Sequence, residues 1–79
     1  MVPKGESAMV FKRLEDLRND ADKTQEEIAQ ILNCKREVYR RYEKGIYDIP
    51  LWALIKLAQY YRTSTDYILG LTNVRKPYT

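Results

Sequence analysis

The 79-residue chain contains no histidine and only one cysteine, Cys34. Without histidine, and with its few candidate nucleophiles at predicted helix caps and turns, no acid–base or metal-binding constellation assembles. A single cysteine cannot form an internal disulfide, which argues against a disulfide-stapled secreted fold and fits a reducing cytoplasm. We therefore expect a cytoplasmic protein that is not an enzyme and that holds no metal or cofactor.

Long apolar stretches are also missing from the chain. The longest apolar run is far shorter than the roughly 20 residues that span a bilayer, and no apolar signal-peptide segment is present. A chain of this length buries only about 60% of its unfolded surface, which favours short packed helices over a large fold with a deep cleft. We expect no contact with a membrane and no room for a domain that senses a small-molecule ligand.

Excess positive charge is confined to one segment. The net charge is only +3, from 14 basic and 11 acidic residues. The segment Lys35–Lys44 holds five of the basic residues and two of the acidic ones, so the remaining positions carry nine of each sign. A basic cluster attracts a polyanion through counterion release, but many charge runs are only solvated helix faces. Charge alone leaves both interpretations open.

The N-terminal part of the chain predicts a leader followed by a helix. Residues 1–8 show no apolar period and precede a second possible start at Met9, so we expect them to lie outside the fold. From Met9 to Asp20, apolar side chains recur on one helical face. These inward positions are Val10, Leu14 and Leu17.

A second helix and a sharp reversal follow. The hydroxyl of Thr24 is placed to form a capping box with Glu27, three residues further on. Apolar Ile28, Ala29 and Leu32 form the inward face. We expect the helix to stop at Asn33, because asparagine tolerates the left-handed backbone that a sharp turn needs.

Three more short helices are predicted in the second half. Between Lys35 and Lys44, Tyr39 and Tyr42 share the inward face and most charges point elsewhere, with Gly45 as the C-cap. A fourth helix begins near Pro50. Its inward positions are Leu51, Leu54, Leu57, Ala58 and Tyr61. A fifth helix lies between the N-cap Ser64 and Gly70. With no alternating strand pattern, the sequence predicts an all-α fold.

Five segments, in this order and spacing, resemble the helix-turn-helix domain of phage Cro and cI-type repressors and of bacterial xenobiotic-response-element regulators. The segments are Leu14–Arg18, Thr24–Ala29, Tyr42–Gly45, Leu54–Ala58 and Ser64–Gly70. The resemblance implies a compact five-helix, lambda-repressor-like DNA-binding domain over residues 9–72, with a tail at residues 73–79. It also implies that the helix starting near Arg36 enters the major groove of double-stranded DNA.

The resemblance assigns roles in DNA binding to particular side chains. Arg36, Glu37 and Arg41 occupy base-reading positions, where arginine can bind guanine and glutamate can accept from cytosine. Gln25 is placed near a phosphate or the edge of the first base pair. The complete set of expected DNA-binding residues is Thr24, Gln25, Lys35, Arg36, Glu37, Arg40, Arg41 and Lys44.

Arg18 and Glu43 match a structural ion pair of the same family, which ties the first helix to the end of the recognition helix. The chain departs from the family pattern at three positions. Lys35 stands where serine or threonine often caps the recognition helix, so the usual N-cap is missing. Ile46 stands where lysine is common, and Trp52 where a polar residue is common. The loop residue Tyr47 is read either as a contact to the DNA backbone or as an exposed side chain without a role.

The family implies a transcriptional regulator, a repressor that binds a palindromic operator as a homodimer. The candidate dimer contacts are Trp52, Tyr60, Tyr67, Ile68, Leu71 and Tyr78. Control would come from expression level, a regulatory protein partner or proteolysis. The alternative is an antitoxin or another protein-interaction module that uses the same fold chiefly to hold a second protein.

Overall fold

A computed structural model describes residues 10–76, and within them five helices and no strand are present. They are α1 (Lys12–Asp20), α2 (Gln25–Ile31), α3 (Arg36–Glu43), α4 (Leu51–Tyr60) and α5 (Thr65–Leu69). The all-α prediction is confirmed. None of these helices is long and apolar enough to cross a membrane. The expected leader at residues 1–8 and the candidate dimer contact Tyr78 lie outside the described residues.

All five helices end in the same way. After each helix one residue has a positive φ, and the next residue donates its N–H to a carbonyl five positions earlier, at 2.8–3.0 Å. This is the hydrogen bond of the Schellman motif, which reverses the chain within a few residues. The residues with positive φ are Asp22, Asn33, Gly45, Arg62 and Gly70. The predicted left-handed conformation of Asn33 is confirmed, with φ at 57°.

The hydrophobic core draws on every helix. Tyr39 is its largest fully buried side chain. The other core residues are Leu14, Leu17, Ile28, Ala29, Leu32, Ala53, Leu54, Leu57, Ala58 and Ile68. Each fully buried leucine or isoleucine contributes about 1.5–3 kcal/mol relative to an exposed one. The burial predicted for Leu14, Leu17 and Tyr39 is confirmed.

Two inward assignments from the sequence were wrong. Val10 is 62% exposed, because α1 begins only at Lys12 and Val10 precedes its periodic part. Leu51 is 68% exposed, and Ala53 is buried instead. Leu51 is the first residue of α4. At 100° per residue, its side chain points roughly 90° away from the centre of the buried face of that helix.

Arg13 fixes the segment that follows α5, which the sequence did not indicate. Its Nη1 donates to the carbonyl oxygens of Tyr67 and Thr72, at 2.7 and 2.6 Å, and its Nη2 donates to Asn73 Oδ1 at 2.7 Å. Its guanidinium also lies 4.0 Å from the centroid of the Tyr67 ring. Charge-assisted hydrogen bonds of this kind are among the stronger ones. The first residues after α5 are therefore anchored to α1.

Candidate nucleic-acid interface

The start of α2 is fixed by the predicted capping box. Thr24 Oγ1 accepts the N–H of Glu27 at 3.1 Å, and the N–H of Thr24 donates to Glu27 Oε1 at 2.9 Å. The hydrogen bond from the Thr24 N–H lowers the pKa of Glu27. The Thr24 hydroxyl also donates to the same carboxylate oxygen, at 3.2 Å. Thr24, an expected DNA contact, thus already uses its side chain to begin the helix.

The reversal between α2 and α3 packs tightly against the core. The N–H of Cys34 donates to the carbonyl of Ala29 at 2.9 Å, which closes the turn around Asn33. The side chain of Cys34 is partly buried against the core, and this burial raises the pKa of its thiol. A protonated, shielded thiol is a packing residue and a poor nucleophile.

One buried carboxylate joins α1, α2 and α3. Glu43 is 5% exposed and accepts four hydrogen bonds. Arg18 Nε and Nη2 donate to it at 2.7 and 3.1 Å, Tyr39 Oη donates at 2.7 Å, and Gln25 Nε2 donates at 3.1 Å. Both oxygens of the carboxylate are therefore doubly satisfied. The ion pair expected between Arg18 and Glu43 is present, within a larger network.

Competing effects set the charge of this network. Burial alone would raise the pKa of Glu43, but the hydrogen bonds from Arg18, Tyr39 and Gln25 outweigh it, so the pKa is lowered. Burial, followed by the hydrogen bond to Glu43, raises the pKa of Tyr39, so its hydroxyl stays protonated and remains a donor. Arg18 Nη1 also donates to the carbonyl of Lys23 at 3.0 Å, before the start of α2. The network fixes how α3 lies across α1 and α2.

Three basic side chains on α3 and its caps face solvent without an ion pair among the described residues. They are Lys35, Arg36 and Lys44. Lys35 is the N-cap residue of α3 and makes no side-chain cap hydrogen bond, as its identity predicted. A helix start without a cap costs about 1 kcal/mol. These three cations are free to meet an anion.

Arg40 and Arg41 are instead paired to Glu37 on the same helix. Arg40 Nη2 lies 3.2 Å from Glu37 Oε2, and Arg41 Nε lies 3.3 Å from the same oxygen. The hydrogen bond from Arg40, followed by the other contacts to the two arginines, lowers the pKa of Glu37 against its partial desolvation. A third, longer bond joins Arg40 Nε to Oε1 at 3.4 Å. Glu37 keeps acceptor capacity, since a carboxylate has about four lone-pair sites.

Tyr47, whose role the sequence left open, contacts α3. Arg41 Nη1 donates to its hydroxyl at 2.6 Å, and the Arg41 guanidinium lies 5.2 Å from the centroid of its ring. The Tyr47 ring in turn packs edge-on against Tyr42, with centroids 6.4 Å apart. Sequence pattern could not place this tyrosine, because the contact depends on the path of an irregular loop.

The candidate dimer contacts are not all available on the surface. Trp52, Tyr60 and Leu71 are exposed, whereas Tyr67 is half-buried beneath Arg13. Ile68 is only 1% exposed and belongs to the core, so its assignment as a dimer contact was wrong. The fifth helix is only one turn and a half long and turns Ile68 towards α1 and α4. Leu51 and Ile55, which were not assigned to this set, are exposed on α4 beside Trp52.

Comparison with known proteins finds a matching family model and two similar curated proteins. A family model described as helix-turn-helix matches residues 14–68. The chain is 40% identical over 65 residues to "HTH-type transcriptional regulator ImmR" of Bacillus subtilis (strain 168), covering 82% of the chain and 51% of that protein. It is 38% identical over 69 residues to "Uncharacterized HTH-type transcriptional regulator YobD" of the same organism, covering 87% and 62%. The chain thus spans between half and two thirds of the length of these curated relatives. No solved structure gives a significant match.

Proposed function

The chain belongs to the helix-turn-helix family, of the xenobiotic-response-element and Cro/cI type that its motifs predicted, and from this premise we propose that it is a sequence-specific repressor of transcription. It binds a palindromic operator in double-stranded DNA as a homodimer and acts in the cytoplasm. Both relatives are described as transcriptional regulators. The observation that carries the proposal is the outward face of α3, where Lys35, Arg36 and Lys44 face solvent and form no ion pair with any residue that the structure describes.

Some side chains of α3 and its caps contact bases, and others contact phosphates. Arg36 reads a guanine through O6 and N7, and Arg41 reads a second base. Glu37 accepts from a cytosine with its remaining acceptor capacity. Lys35, Arg40 and Lys44 hold phosphates, which fix the register of the helix but carry no sequence information.

The N-terminus of α2 contributes contacts to the DNA backbone. Gln25 gives one amide hydrogen to Glu43 and keeps the other for a phosphate. Since Glu43 also holds Arg18 of α1, the phosphate contact at Gln25 is supported from the protein interior. Thr24 acts at this end chiefly by starting the helix.

Dimerisation supplies the affinity that one recognition helix lacks. A single helix of this size buries too little surface for operator binding, and two half-sites about 34–36 Å apart along the DNA provide the remainder. Trp52, Tyr60, Tyr67, Leu71 and Tyr78 are the candidate contacts between copies. Aromatic side chains at partly exposed positions favour such interfaces.

Selection of bound DNA from a random pool tests the proposal, followed by binding measurements at fixed salt. We expect a palindromic motif, and we expect Arg36→Ala to cost about 1–3 kcal/mol and to relax preference at one base pair. Arg62→Ala is the matched control, because Arg62 is an exposed arginine outside α3. Selection that yields no motif, or Arg36→Ala that weakens every sequence equally, would contradict the assignment.

A second candidate function is a protein-interaction role, such as that of an antitoxin. It is favoured by the exposed apolar side chains of Leu51, Trp52 and Ile55 on α4. Binding to a protein through this face depends little on salt, whereas binding to DNA weakens steeply as salt rises. A salt titration on DNA fragments from the chain's own locus therefore separates the two functions.

A further inference from the structure

The guanidinium of Arg41 is held from two directions before any DNA is bound. Its Nε lies 3.3 Å from Glu37 Oε2, on the preceding turn of α3. Its Nη1 donates to Tyr47 Oη at 2.6 Å, beyond the end of the helix. The hydrogen bond to Tyr47 and then that to Glu37 raise the pKa of Arg41, so it remains charged.

Enough donors of Arg41 remain for a base. A guanidinium has five N–H donors, and these two contacts use one on Nε and one on Nη1. Both hydrogens of Nη2 and one of Nη1 stay free. These are the donors that an arginine approaching end-on presents to O6 and N7 of guanine. The two contacts therefore orient the group without occupying the part that reads the base.

Tyr47 is itself fixed relative to Arg41. Its N–H donates to the carbonyl of Arg41 at 3.1 Å, so both the backbone and the side chain of Tyr47 are hydrogen-bonded to Arg41. The turn that brings it there passes through Gly45, with φ at 77°. A Cβ on Gly45 would lie 2.5 Å from Val10 Cγ2, so the loop and the segment before α1 pack closely at this point. Tyr42 supports the ring from the side.

We propose that Tyr47 is a positioning residue that sets base specificity through Arg41. The inference rests on the proposed function and adds to it a residue outside the helix-turn-helix. Without the Tyr47 hydroxyl, Glu37 is the only side-chain acceptor left on Arg41 among the described residues. The guanidinium then turns towards that carboxylate and away from the base. Fixing one flexible side chain at an interface changes affinity by roughly two- to tenfold.

A double-mutant cycle on the full chain tests this inference. Tyr47→Phe keeps the ring, its packing on Tyr42 and its position beside Arg41, and removes only the hydroxyl. On the selected operator we expect roughly two- to tenfold weaker binding. On an operator altered at the base pair read by Arg41 we expect no change. In an Arg41→Ala background the same substitution should have no effect, and the melting temperature should match that of the parent chain.

A second measurement needs no DNA. In arginine side-chain NMR spectra of the free protein, the Nε–H order parameter of Arg41 should fall in Tyr47→Phe, while that of Arg18 stays unchanged. Unchanged order at Arg41 would overturn the inference.

The cycle also separates failure of this inference from failure of the proposed function. Persistence of the Tyr47→Phe effect in the Arg41→Ala background would mark the hydroxyl as a direct phosphate contact and overturn positioning. A selective parent chain whose Tyr47→Phe variant is equally selective also overturns it. A parent chain without base preference overturns the proposed function, and this inference with it.

Discussion

Glu43 brings a negative charge into the interior of a small domain. Desolvating a carboxylate costs several kcal/mol, and its attraction to one arginine rarely returns more than that. Here four donors from three helices meet the two oxygens. The network therefore adds little net stability, but it fixes one arrangement of α1, α2 and α3, because any other arrangement strands a buried charge.

Glu43→Gln should lower the free energy of unfolding by about 3–5 kcal/mol at neutral pH, since it leaves Arg18 without its counter-charge. The folded-state pKa of Glu43 lies below the ordinary value of 4.5. Its stabilising effect is therefore fully present above about pH 4.5 and is lost as the pH falls through the lowered folded-state pKa. The gap between parent and variant should shrink only in that acidic range. Urea unfolding followed by circular dichroism at a series of pH values measures it.

Glu26→Gln is the control for this experiment, because Glu26 is an exposed acid in the first turn of α2. We expect it to change stability by well under 1 kcal/mol, as surface substitutions usually do. A Glu43→Gln variant as stable as the parent chain, or a gap that stays constant to the lowest pH, would contradict the role assigned to the carboxylate.

Local spacing predicted the capping box, and the family resemblance predicted the ion pair between Arg18 and Glu43, which are 25 positions apart. Thr24 and Glu27 are three positions apart, so the capping box follows from the sequence alone. Tyr39 was correctly placed in the core, but its bond to Glu43 was not foreseen. Arg13 was missed because its partners lie 54 to 60 positions away, with no periodic pattern to connect them.

At the scale of elements, the helix ends are the most uniform feature. Gly45 and Gly70 adopt positive φ without a side-chain penalty, whereas Asp22, Asn33 and Arg62 carry a Cβ in that conformation. For an L-residue the left-handed region costs roughly 1–2 kcal/mol, and asparagine and aspartate tolerate it best. Arg62, after α4, is therefore the most strained of the five helix ends.

Arg62→Gly should stabilise the protein by about 0.5–1 kcal/mol, because relief of the Cβ strain exceeds the extra entropy of glycine in the unfolded chain. For a domain of this size that raises the melting temperature by about 2–8 °C. Arg62→Ala is the matched control, since it removes the same side chain but keeps the Cβ. Equal melting temperatures for the two variants would show that φ at this position, 56°, stores no strain.

The order and type of the elements were predictable because each has its own signals. Ser64 and Gly70 bracket α5, and the family motifs agree with the periodicity. The exact ends of the helices and the residues that face the core were less predictable. Val10 and Leu51 fit an inward spacing, but Val10 precedes α1 and Leu51 is the first residue of α4. Periodicity alone does not reveal where a helix begins.

At the scale of the whole molecule, excess positive charge is concentrated on α3 and its cap residues. Outside Lys35–Lys44 the chain carries nine basic and nine acidic residues. Within that segment, Glu37 pairs with Arg40 and Arg41. Under the proposed function, long-range attraction to DNA comes mainly from Lys35, Arg36 and Lys44, so one face of the molecule turns towards the polyanion during approach. The cluster of basic residues was visible in the sequence, but the ion pairs of Glu37 with Arg40 and Arg41 were not.

The salt dependence of binding depends on the number of phosphate contacts and on the number of copies of the chain that bind. Each phosphate neutralised on B-DNA contributes about −0.9 to the slope of log K against log salt. Lys44→Ala should therefore make the slope shallower by about 0.9 if one copy binds and by about 1.8 if two copies bind, while base preference stays intact. The control is Lys56→Ala, which removes an exposed lysine on α4 and should leave the slope unchanged.

Titrations on one full operator and on one isolated half-site, from low to physiological salt, give the slope for each DNA. A difference of about 1.8 on the operator and about 0.9 on the half-site supports a dimer with one Lys44 phosphate contact per copy. Equal slopes for Lys44→Ala and the parent chain would remove Lys44 from the interface, and a difference of about 0.9 on both DNAs would mean that a single copy occupies the operator.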